Sequence, residues 1–340
     1  RLSLTLPANM ARNGMTPLKF RPIFKHTLWG GGEIARFKHL DGHCDDIGES
    51  WEVSGFPGEE TPVVGGPYDG ATLRQLTEQL GAALVGRENL RRHGTRFPLL
   101  VKFIAAESDL SIQVHPDEAM ARRLGLPNGK NEMWYVVDAR PGAAIITGFC
   151  HDFSADLYER SLGDGSLCDH LCRYETHAGD CFYIPAGQIH SIGAGNLLIE
   201  VQQTSNDTYR VYDFDRLDKD GRPRELHTEL AREALCYDSR PDYRTHYDEV
   251  NDGCSLLGRC PNFTMRLGRF ASTRRLDYAA LDSFVIFIAF EGRARLTDGE
   301  GNTVSLCAGE TVLFPATNDA VTVEPLDGAR FSFIETFTEG

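Results

Sequence analysis

Short apolar runs, each the length of a β-strand and bounded mostly by turn residues, recur along most of this 340-residue chain. Examples are residues 97–104, 133–139, 143–149, 181–186 and 197–203. Runs of this length between Gly, Pro, Asn or Asp predict strands rather than long helices. From about residue 241 the pattern is entirely strand-like and rich in hairpin signals, which favours a compact β-barrel or jelly roll.

Helical signals interrupt the strand pattern at four places in the first 240 residues. Thr72 and Gln75 form a capping-box pattern, and leucines then recur at helical spacing as far as Leu84. Three further helices are predicted to begin at Pro116, after Ser154 and at Thr228. The chain is therefore expected to be mainly β, with α-helical insertions in its N-terminal half.

Two stretches of the chain share one pattern, in which a glycine and an acid precede an apolar strand that ends at a proline. The first covers residues 179–185 and the second covers 309–315. Two copies of one barrel module would explain this internal similarity. We expect a mixed domain over 15–240 and an all-β domain over 241–340, with residues 1–14 an upstream extension or expression remnant.

The net charge of −14 disfavours nucleic acids and anionic membranes as partners, because both select a basic protein surface. It does not disfavour a small anionic substrate, since a few lysines and arginines can bind one phosphate. No apolar run is long enough to span a membrane. The nine cysteines are odd in number and form no CxxC pair, which predicts reduced thiols in a cytoplasmic protein.

The segment 110–118 is the first that carries candidate site residues. On a strand, alternate residues share a face, so Gln113 and His115 project together with Ser111 on the same side. The intervening apolar residues then enter the opposite layer, and Pro116 ends the strand just past the histidine.

Two later segments supply further polar groups. Glu132 stands at the start of an apolar strand, where a carboxylate requires a partner, and Lys130 shares its face. His190 follows a Pro-x-Gly turn at 185–187. Nitrogen and oxygen ligands suit a catalytic divalent metal; zinc is favoured, but manganese, iron and cobalt stay open. The candidate ligands are Gln113, His115, Glu132 and His190.

These residues carry a resemblance to a known family. Gly179 with Pro185, Gly187 and His190 resembles the second motif of the cupin superfamily. The segment 113–115 resembles a degenerate first motif whose acid is displaced by a short helical insertion. In this the chain looks like the type I phosphomannose isomerases in their shorter bacterial form, from residue 18 almost to its end. Further matching segments are 22–31, 48–54, 97–104 and 202–213.

The resemblance implies two cupin-like jelly-roll barrels, with one Zn²⁺ per chain bound in the first by the four candidate ligands. The second barrel would be metal-free, because no histidine follows Ala316 and Thr317. The implied activity interconverts mannose 6-phosphate and fructose 6-phosphate through a cis-enediol-like intermediate. The expected partner is the small phosphosugar substrate. The chain itself is expected to be a monomer or a weak homodimer.

The resemblance also implies roles for individual residues. Arg210 would lie near the reacting carbons as a catalytic and substrate-binding residue, and Lys130 and Ser111 would line the same pocket. The general base stays open between Lys130, a zinc-bound hydroxide and a histidine beside the metal. Related sequences often carry Asp four residues before the arginine, where this chain has Asn206 followed by Asp207.

Two other classes compete with this interpretation. An iron-dependent cupin oxygenase would present two or three histidines and open positions for oxygen. A non-catalytic sugar-phosphate-binding cupin would often have lost the ligands or Arg210. The bound metal, oxygen dependence and turnover of the sugar phosphate distinguish the three.

Overall fold

The computed structural model describes residues 15–42 and 44–339. The expected extension over residues 1–14 lies outside the described residues. Among the described residues, strands predominate and all seven α-helices fall between residues 33 and 234. The prediction of a mainly β chain is confirmed, and all the described α-helices except the one at Thr228–Ala234 lie in its N-terminal half.

The elements are short, as the turn-bounded runs predict. The helices are α1 (Glu33–Phe37), α2 (Leu73–Leu80), α3 (Ala82–Val85), α4 (Arg87–His93), α5 (Glu118–Leu124), α6 (Ala155–Asp164) and α7 (Thr228–Ala234). The strands are β1 (Leu18–Phe20), β2 (Ile23–Gly31), β3 (Ile47–Ser54), β4 (Val63–Val64), β5 (Leu99–Ala105), β6 (Ile112–Val114), β7 (Glu132–Ala139), β8 (Ala144–Phe149), β9 (Leu171–Glu175), β10 (Cys181–Ile184), β11 (His190–Ile192), β12 (Asn196–Gln203), β13 (Tyr209–Tyr212), β14 (Gly253–Arg259), β15 (Thr264–Phe270), β16 (Arg274–Asp277), β17 (Val285–Glu291), β18 (Arg293–Asp298), β19 (Thr303–Cys307), β20 (Thr311–Phe314), β21 (Ala320–Pro325) and β22 (Phe331–Phe337).

Unit A, which comprises Pro22–Thr61 and Pro98–Tyr247, is one of two compact units. It contains a six-stranded sheet in the order β10-β7-β12-β5-β3-β2 and a five-stranded sheet in the order β13-β6-β11-β8-β9. Every strand pair in both sheets is antiparallel. Antiparallel pairing brings residues far apart in sequence into direct opposition, and this assembles the candidate site.

Apolar side chains from both sheets of unit A pack into one cluster. Trp134, Phe182 and Leu198 come from the six-stranded sheet, and Ile145 and Ile192 come from the five-stranded sheet. Fully burying each large apolar side chain contributes roughly 1.5–3 kcal/mol. This packing fixes the two sheets against each other and holds the strand ends that carry the polar residues.

A second apolar cluster in unit A includes residues from the helices. Ile112 and Val114 of β6 pack there with Phe149, Tyr158 of α6 and Ala231 of α7. The alternation along β6 therefore sends its apolar residues to this layer and Gln113 to the other face.

Unit B comprises the segment that ends at Arg21, with Pro62–Phe97 and the chain from Asp248 onward. Its sheets have the orders β14-β15-β22-β17-β20-β1-β4 and β16-β21-β18-β19, again antiparallel throughout. Residues 15–21 and 62–97, which the sequence placed in the 15–240 domain, lie here because β1 pairs with both β20 and β4.

The helix that follows Thr72 starts where the sequence predicts but ends earlier than predicted. Thr72 and Gln75 form both hydrogen bonds of the predicted capping box at α2. The helix was expected to continue to Leu84 but ends at Leu80, because Gly81 has φ +53° and starts a separate short helix. Among the described residues, no helix combines the length and apolar character that crossing a bilayer requires.

Candidate metal centre and its cavity

The candidate ligands meet in unit A because strand ends converge there. Gln113 is the central residue of β6, and its cross-strand partner is His190, the first residue of β11. Glu132 is the first residue of β7, and His115 directly follows β6. The backbone N–H of Gly187 donates to the carbonyl oxygen of His115 at 3.0 Å, so the predicted Pro-x-Gly turn joins the two histidine segments.

His115, Glu132 and His190 form a compact buried group. His115 Nε2 lies 3.2 Å from Glu132 Oε1, and His190 Nε2 lies 3.8 Å from Glu132 Oε2. One candidate ligand atom from each of the three side chains lies within 4.8 Å of the other two. Among the described residues, no other group of three His, Cys, Asp or Glu side chains meets this criterion.

The hydrogen bonds of the two histidines determine which ring nitrogen carries the proton. His115 Nδ1 lies 2.9 Å from the carbonyl oxygen of Asp207, and His190 Nδ1 lies 2.8 Å from that of Gln188. A carbonyl oxygen only accepts, so each neutral ring is protonated at Nδ1. Both Nε2 lone pairs are then presented to the group, which is the arrangement found in histidine metal ligands.

Glu132 supplies the observation that a cation fits here. Its Oε2 is buried and has no hydrogen-bond partner. A buried carboxylate oxygen without a donor is costly unless a cation offsets its charge. Two imidazole lone pairs and this oxygen therefore match the donor set of a divalent metal.

The pKa shifts agree with a metal-binding state. Burial, with help from the Lys130 ammonium, lowers the pKa of His115 to about 3, and burial also lowers the pKa of His190. Burial opposes ionisation of Glu132, but Lys130, His115 and His190 together outweigh it and hold the Glu132 pKa well below its usual range. Neutral imidazoles and an ionised carboxylate are the forms that bind metals.

Gln113 lies beside the group rather than in it. Its Nε2 is 3.4 Å from His190 Nε2, and its Oε1 accepts a hydrogen bond from Ser111 Oγ at 3.3 Å. A half-turn of the amide would exchange the oxygen and the nitrogen and present the carbonyl to the metal position. Lys130 Nζ lies 2.9 Å from Glu132 Oε1 and 3.3 Å from His115 Nε2.

A cavity of about 340 Å³ opens onto this group. Ser111, Gln113, Lys130, Glu132 and Arg210, all predicted from the sequence, line it. The histidines lie behind them, each 1% exposed. Polar and aromatic residues that the sequence analysis did not select complete the lining: Thr27, Trp29, Glu49, Lys102, Trp134, Glu200, Asn206, Thr208 and Arg224.

A second charged cluster borders the same cavity. Lys102 Nζ lies 2.9 Å from Glu200 Oε1 and 3.5 Å from Glu49 Oε2. Trp134 donates its indole N–H to Glu200 Oε2 at 2.8 Å. Burial alone would lower the pKa of Lys102, but the neighbouring carboxylates raise the pKa above its ordinary value. Lys102 is therefore positively charged. A charged residue inside a buried apolar strand was the signal that could have found Lys102 and Glu200 in the sequence.

Arg210 occupies the edge of the five-stranded sheet, opposite Gln113 in the register of β13 with β6. Its Nη1 donates to the backbone oxygen of Glu225 at 2.7 Å, and its buried Nε has no partner. Burial and the neighbouring Arg224 lower its pKa. Among the described residues, no carboxylate forms an ion pair with Arg210, so its charge is available to a ligand.

Asn206, which stands where related sequences often carry Asp, and the following Asp207 have different surroundings. Asn206 lines the cavity. Asp207 accepts from Ser205 through its side chain and from His115 through its backbone oxygen. Its carboxylate therefore holds a local turn, while its backbone orients a histidine.

Comparisons with known proteins agree on one family. The family profile described as phosphomannose isomerase type I, catalytic domain, matches residues 18–149. The chain is 34% identical to the mannose-6-phosphate isomerase ManA of Bacillus subtilis, over 84% of this chain and 88% of that protein. It is 33% identical to the mannose-6-phosphate isomerase of Streptococcus mutans, over 88% and 93%.

A solved structure gives the same result for the fold. The crystal structure of the mannose 6-phosphate isomerase from Bacillus subtilis superimposes with a TM-score of 0.85 and 30% identity. The superposition covers 95% of this chain and 99% of that one.

Proposed function

This chain belongs to the type I phosphomannose isomerases, a class of aldose–ketose isomerases, and we propose that it interconverts mannose 6-phosphate and fructose 6-phosphate with zinc as cofactor. The observation that carries the proposal is the unpartnered Oε2 of Glu132 between two histidines at the base of a polar cavity.

We propose one Zn²⁺ per chain, held by His115, Glu132 and His190, with Gln113 as a fourth ligand after its amide turns. The three-residue donor set of two imidazoles and a carboxylate is common in catalytic zinc sites and supports this choice. When bound, the ion would supply a Lewis acid for the sugar oxygens.

The proposed reaction transfers protons between the first two carbons of the open-chain sugar. A base removes the proton from C2, C1 receives a proton, and the O2 proton moves to O1 as the carbonyl changes place. Arg210 supports negative charge on the oxygens, because its guanidinium has no carboxylate partner to neutralise it.

Lys130 is proposed as a catalytic and substrate-binding residue. Its ammonium group lies between Glu132 and His115 at the cavity wall, within reach of a sugar hydroxyl. Ser111 lines the same wall and would contact the sugar through its hydroxyl. The pH dependence of turnover in Lys130 variants tests whether Lys130 or another group removes the C2 proton.

The fold of each unit is proposed to be a cupin-like jelly roll, with metal in unit A alone. The pair of antiparallel sheets in each unit supports this. So does the sequence after Pro315, where Ala316 and Thr317 replace the Ala-Gly turn and no histidine follows. We further propose a cytoplasmic monomer or weak homodimer.

A coupled assay for fructose 6-phosphate, with and without chelator, tests the function. We expect turnover of mannose 6-phosphate, its loss on chelation, and its return with stoichiometric zinc, at the same rate without oxygen. Zinc-loaded protein that binds the sugar phosphate without turnover would support a non-catalytic binding protein instead. Bound iron with oxygen-dependent activity would support an oxygenase.

A further inference from the structure

Arg224 is held at the cavity wall in a fixed orientation. Its Nε donates to Asp213 Oδ2 at 2.7 Å, and its Nη2 donates to Asp213 Oδ1 at 2.5 Å. Asp213 is 5% exposed, so this two-point contact is shielded from water. The pair leaves Nη1 of Arg224 outside the contact, on a side chain that lines the cavity.

The charges around Arg224 do not balance. Arg216 binds the same Asp213 carboxylate at 2.6 Å, and Arg210 has a backbone oxygen as its partner. Two guanidinium groups thus share one buried carboxylate, and among the described residues Arg210 has no carboxylate ion-pair partner. Burial is the main cause that lowers the pKa of Arg210, and the positive charge of Arg224 lowers it further, so positive charge is in excess here. An anionic ligand would relieve it.

The remaining charged residues of the lining carry three carboxylates and two ammonium groups. Glu132 pairs with Lys130, and Glu49 and Glu200 pair with Lys102. In the five-stranded sheet β6 lies between β13 and β11, so the backbones of Arg210 and His190 are roughly 10 Å apart. A six-carbon sugar phosphate placed in the cavity can have its reacting end beside the histidines and Arg210, and its anionic end at Arg224.

We propose that Arg224 binds the phosphate group of the sugar through Nη1, and that Asp213 positions it. The identity of the sugar rests on the proposed function, whereas the preference for a phosphorylated ligand rests on the charges at this wall. Guanidinium groups suit phosphate because they donate several hydrogen bonds from one plane and stay charged when partly buried.

Arg216 provides an internal control. It shares the Asp213 carboxylate with Arg224, but its Nη1 donates to the backbone oxygen of Asp109 and it does not line the cavity. Loss of Arg216 removes an ion pair with Asp213, as loss of Arg224 does. Only loss of Arg224 should remove a phosphate contact.

The test compares Arg224→Met, Arg224→Lys and Arg216→Met in the zinc-loaded full chain. Calorimetry measures binding of mannitol 6-phosphate and mannitol, which lack the carbonyl and are not isomerised. We expect Arg224→Met to raise the Kd for mannitol 6-phosphate about 10-fold to 100-fold, as for loss of a charge-assisted hydrogen bond. Arg224→Lys should recover part of the affinity, and Arg216→Met should stay within about twofold of the original chain.

Kinetics give a second measurement. KM for mannose 6-phosphate should rise by the same factor in Arg224→Met, with kcat within about threefold, because a contact remote from the reacting carbons contributes equally to substrate and transition state. Unchanged affinity for mannitol 6-phosphate in both Arg224 variants would overturn the proposal, as would equal losses in Arg216→Met. Phosphate-selective binding that requires Arg224 in a chain without isomerase activity would refute the proposed function but leave this assignment standing.

Discussion

Lys130 Nζ lies 2.9 Å from Glu132 Oε1, with the lysine 4% and the glutamate 1% exposed. This ammonium lies beside the candidate metal centre, and it also lies 3.3 Å from His115 Nε2. A divalent ion at the centre would compete with Lys130 for the same lone pairs. Lys130 therefore lies beside the candidate metal position and would not itself be a ligand.

Substituting Lys130 by Met should separate metal binding from turnover. We expect Lys130→Met to keep its zinc, because no ligand is lost and a competing cation is removed. Turnover should fall about 100-fold or more, the usual range for loss of a proton-transferring group. Elemental analysis and the coupled assay on one preparation measure both quantities. A loss of zinc that parallels the loss of turnover would assign Lys130 to the metal centre's structure.

Glu132→Gln should have the reverse effect and remove the metal itself. The substitution leaves two neutral imidazoles without the carboxylate that balances a divalent charge. We expect zinc content to fall below about a tenth of a metal per chain after dialysis, with turnover lost in proportion, since a ligand is removed. Glu200→Gln is the matched control, because Glu200 is also buried and lines the same cavity but lies outside the histidine group. Zinc retained by Glu132→Gln would exclude Glu132 as a ligand.

Arg210→Ala should lower turnover far more than zinc content. Arg210 lies opposite Gln113 on the neighbouring strand, and its guanidinium donates to the backbone oxygen of Glu225 rather than to a candidate ligand. Removing a positive charge that stabilises a developing oxyanion costs roughly 100-fold to 1,000-fold in kcat. The zinc-to-protein ratio is measured beside the rate constants. If both fall together, the residue supports the fold of the site instead.

Helix starts could be predicted from the sequence, because the residues that cap a helix are close together in the chain. The cap at Thr72 and the N-caps at Asp117 and Ser154 form with partners three residues away, so the sequence contains the whole signal. The helix predicted from Pro116 begins at Glu118, because Asp117 accepts from the backbone N–H of Met120 and is the cap itself.

In the candidate site, too, some residues could be predicted from local sequence patterns, and others depend on contacts between distant segments. Strand periodicity placed Gln113 opposite the apolar layer, and the Pro-x-Gly turn placed His190 at a strand start. Lys102 carries a sequence signal, a charge inside an apolar strand, but its pairing with Glu200 depends on the register of β5 with β12. Arg224 carries no such signal, because its role depends on an ion pair with Asp213 across a loop. Pairing partners in antiparallel sheets are set by the whole fold, and one sequence does not display them.

Acid should destabilise the metal-free protein through His115. Burial lowers its pKa in the folded chain to about 3, against an ordinary value of about 6.5 when unfolded. Between these values the unfolded chain binds a proton that the folded chain refuses, so stability falls as the pH falls through this window. Chelated protein should therefore lose stability between about pH 6.5 and pH 3.

Urea denaturation at several pH values tests this linkage. His115→Asn should flatten the pH dependence of the free energy of unfolding by up to one proton over that window. An unchanged slope in His115→Asn would mean that His115 is protonated in the folded, metal-free chain.

Gly148 is expected to be the least replaceable glycine near the site, because conformation and space both exclude a side chain. Its φ is +73°, and a Cβ there would lie 2.0 Å from the ring of Tyr243. Tyr243 cannot easily move aside, since it is buried and its hydroxyl donates to the backbone oxygen of Phe149 at 3.2 Å. Gly148→Ala should therefore lower the free energy of unfolding by about 3 kcal/mol or more, from strain and overpacking together.

Gly142 separates the two contributions to that loss. Its φ is +82°, similar to that of Gly148, but no atom lies within 4 Å of the position its Cβ would take. Gly142→Ala should therefore show the backbone cost alone, about 1 kcal/mol. Urea denaturation of both variants in unit A gives the difference, which measures how rigidly Tyr243 is held. Equal losses would mean that the tyrosine yields without cost and that packing behind the five-stranded sheet is looser than its buried rings indicate.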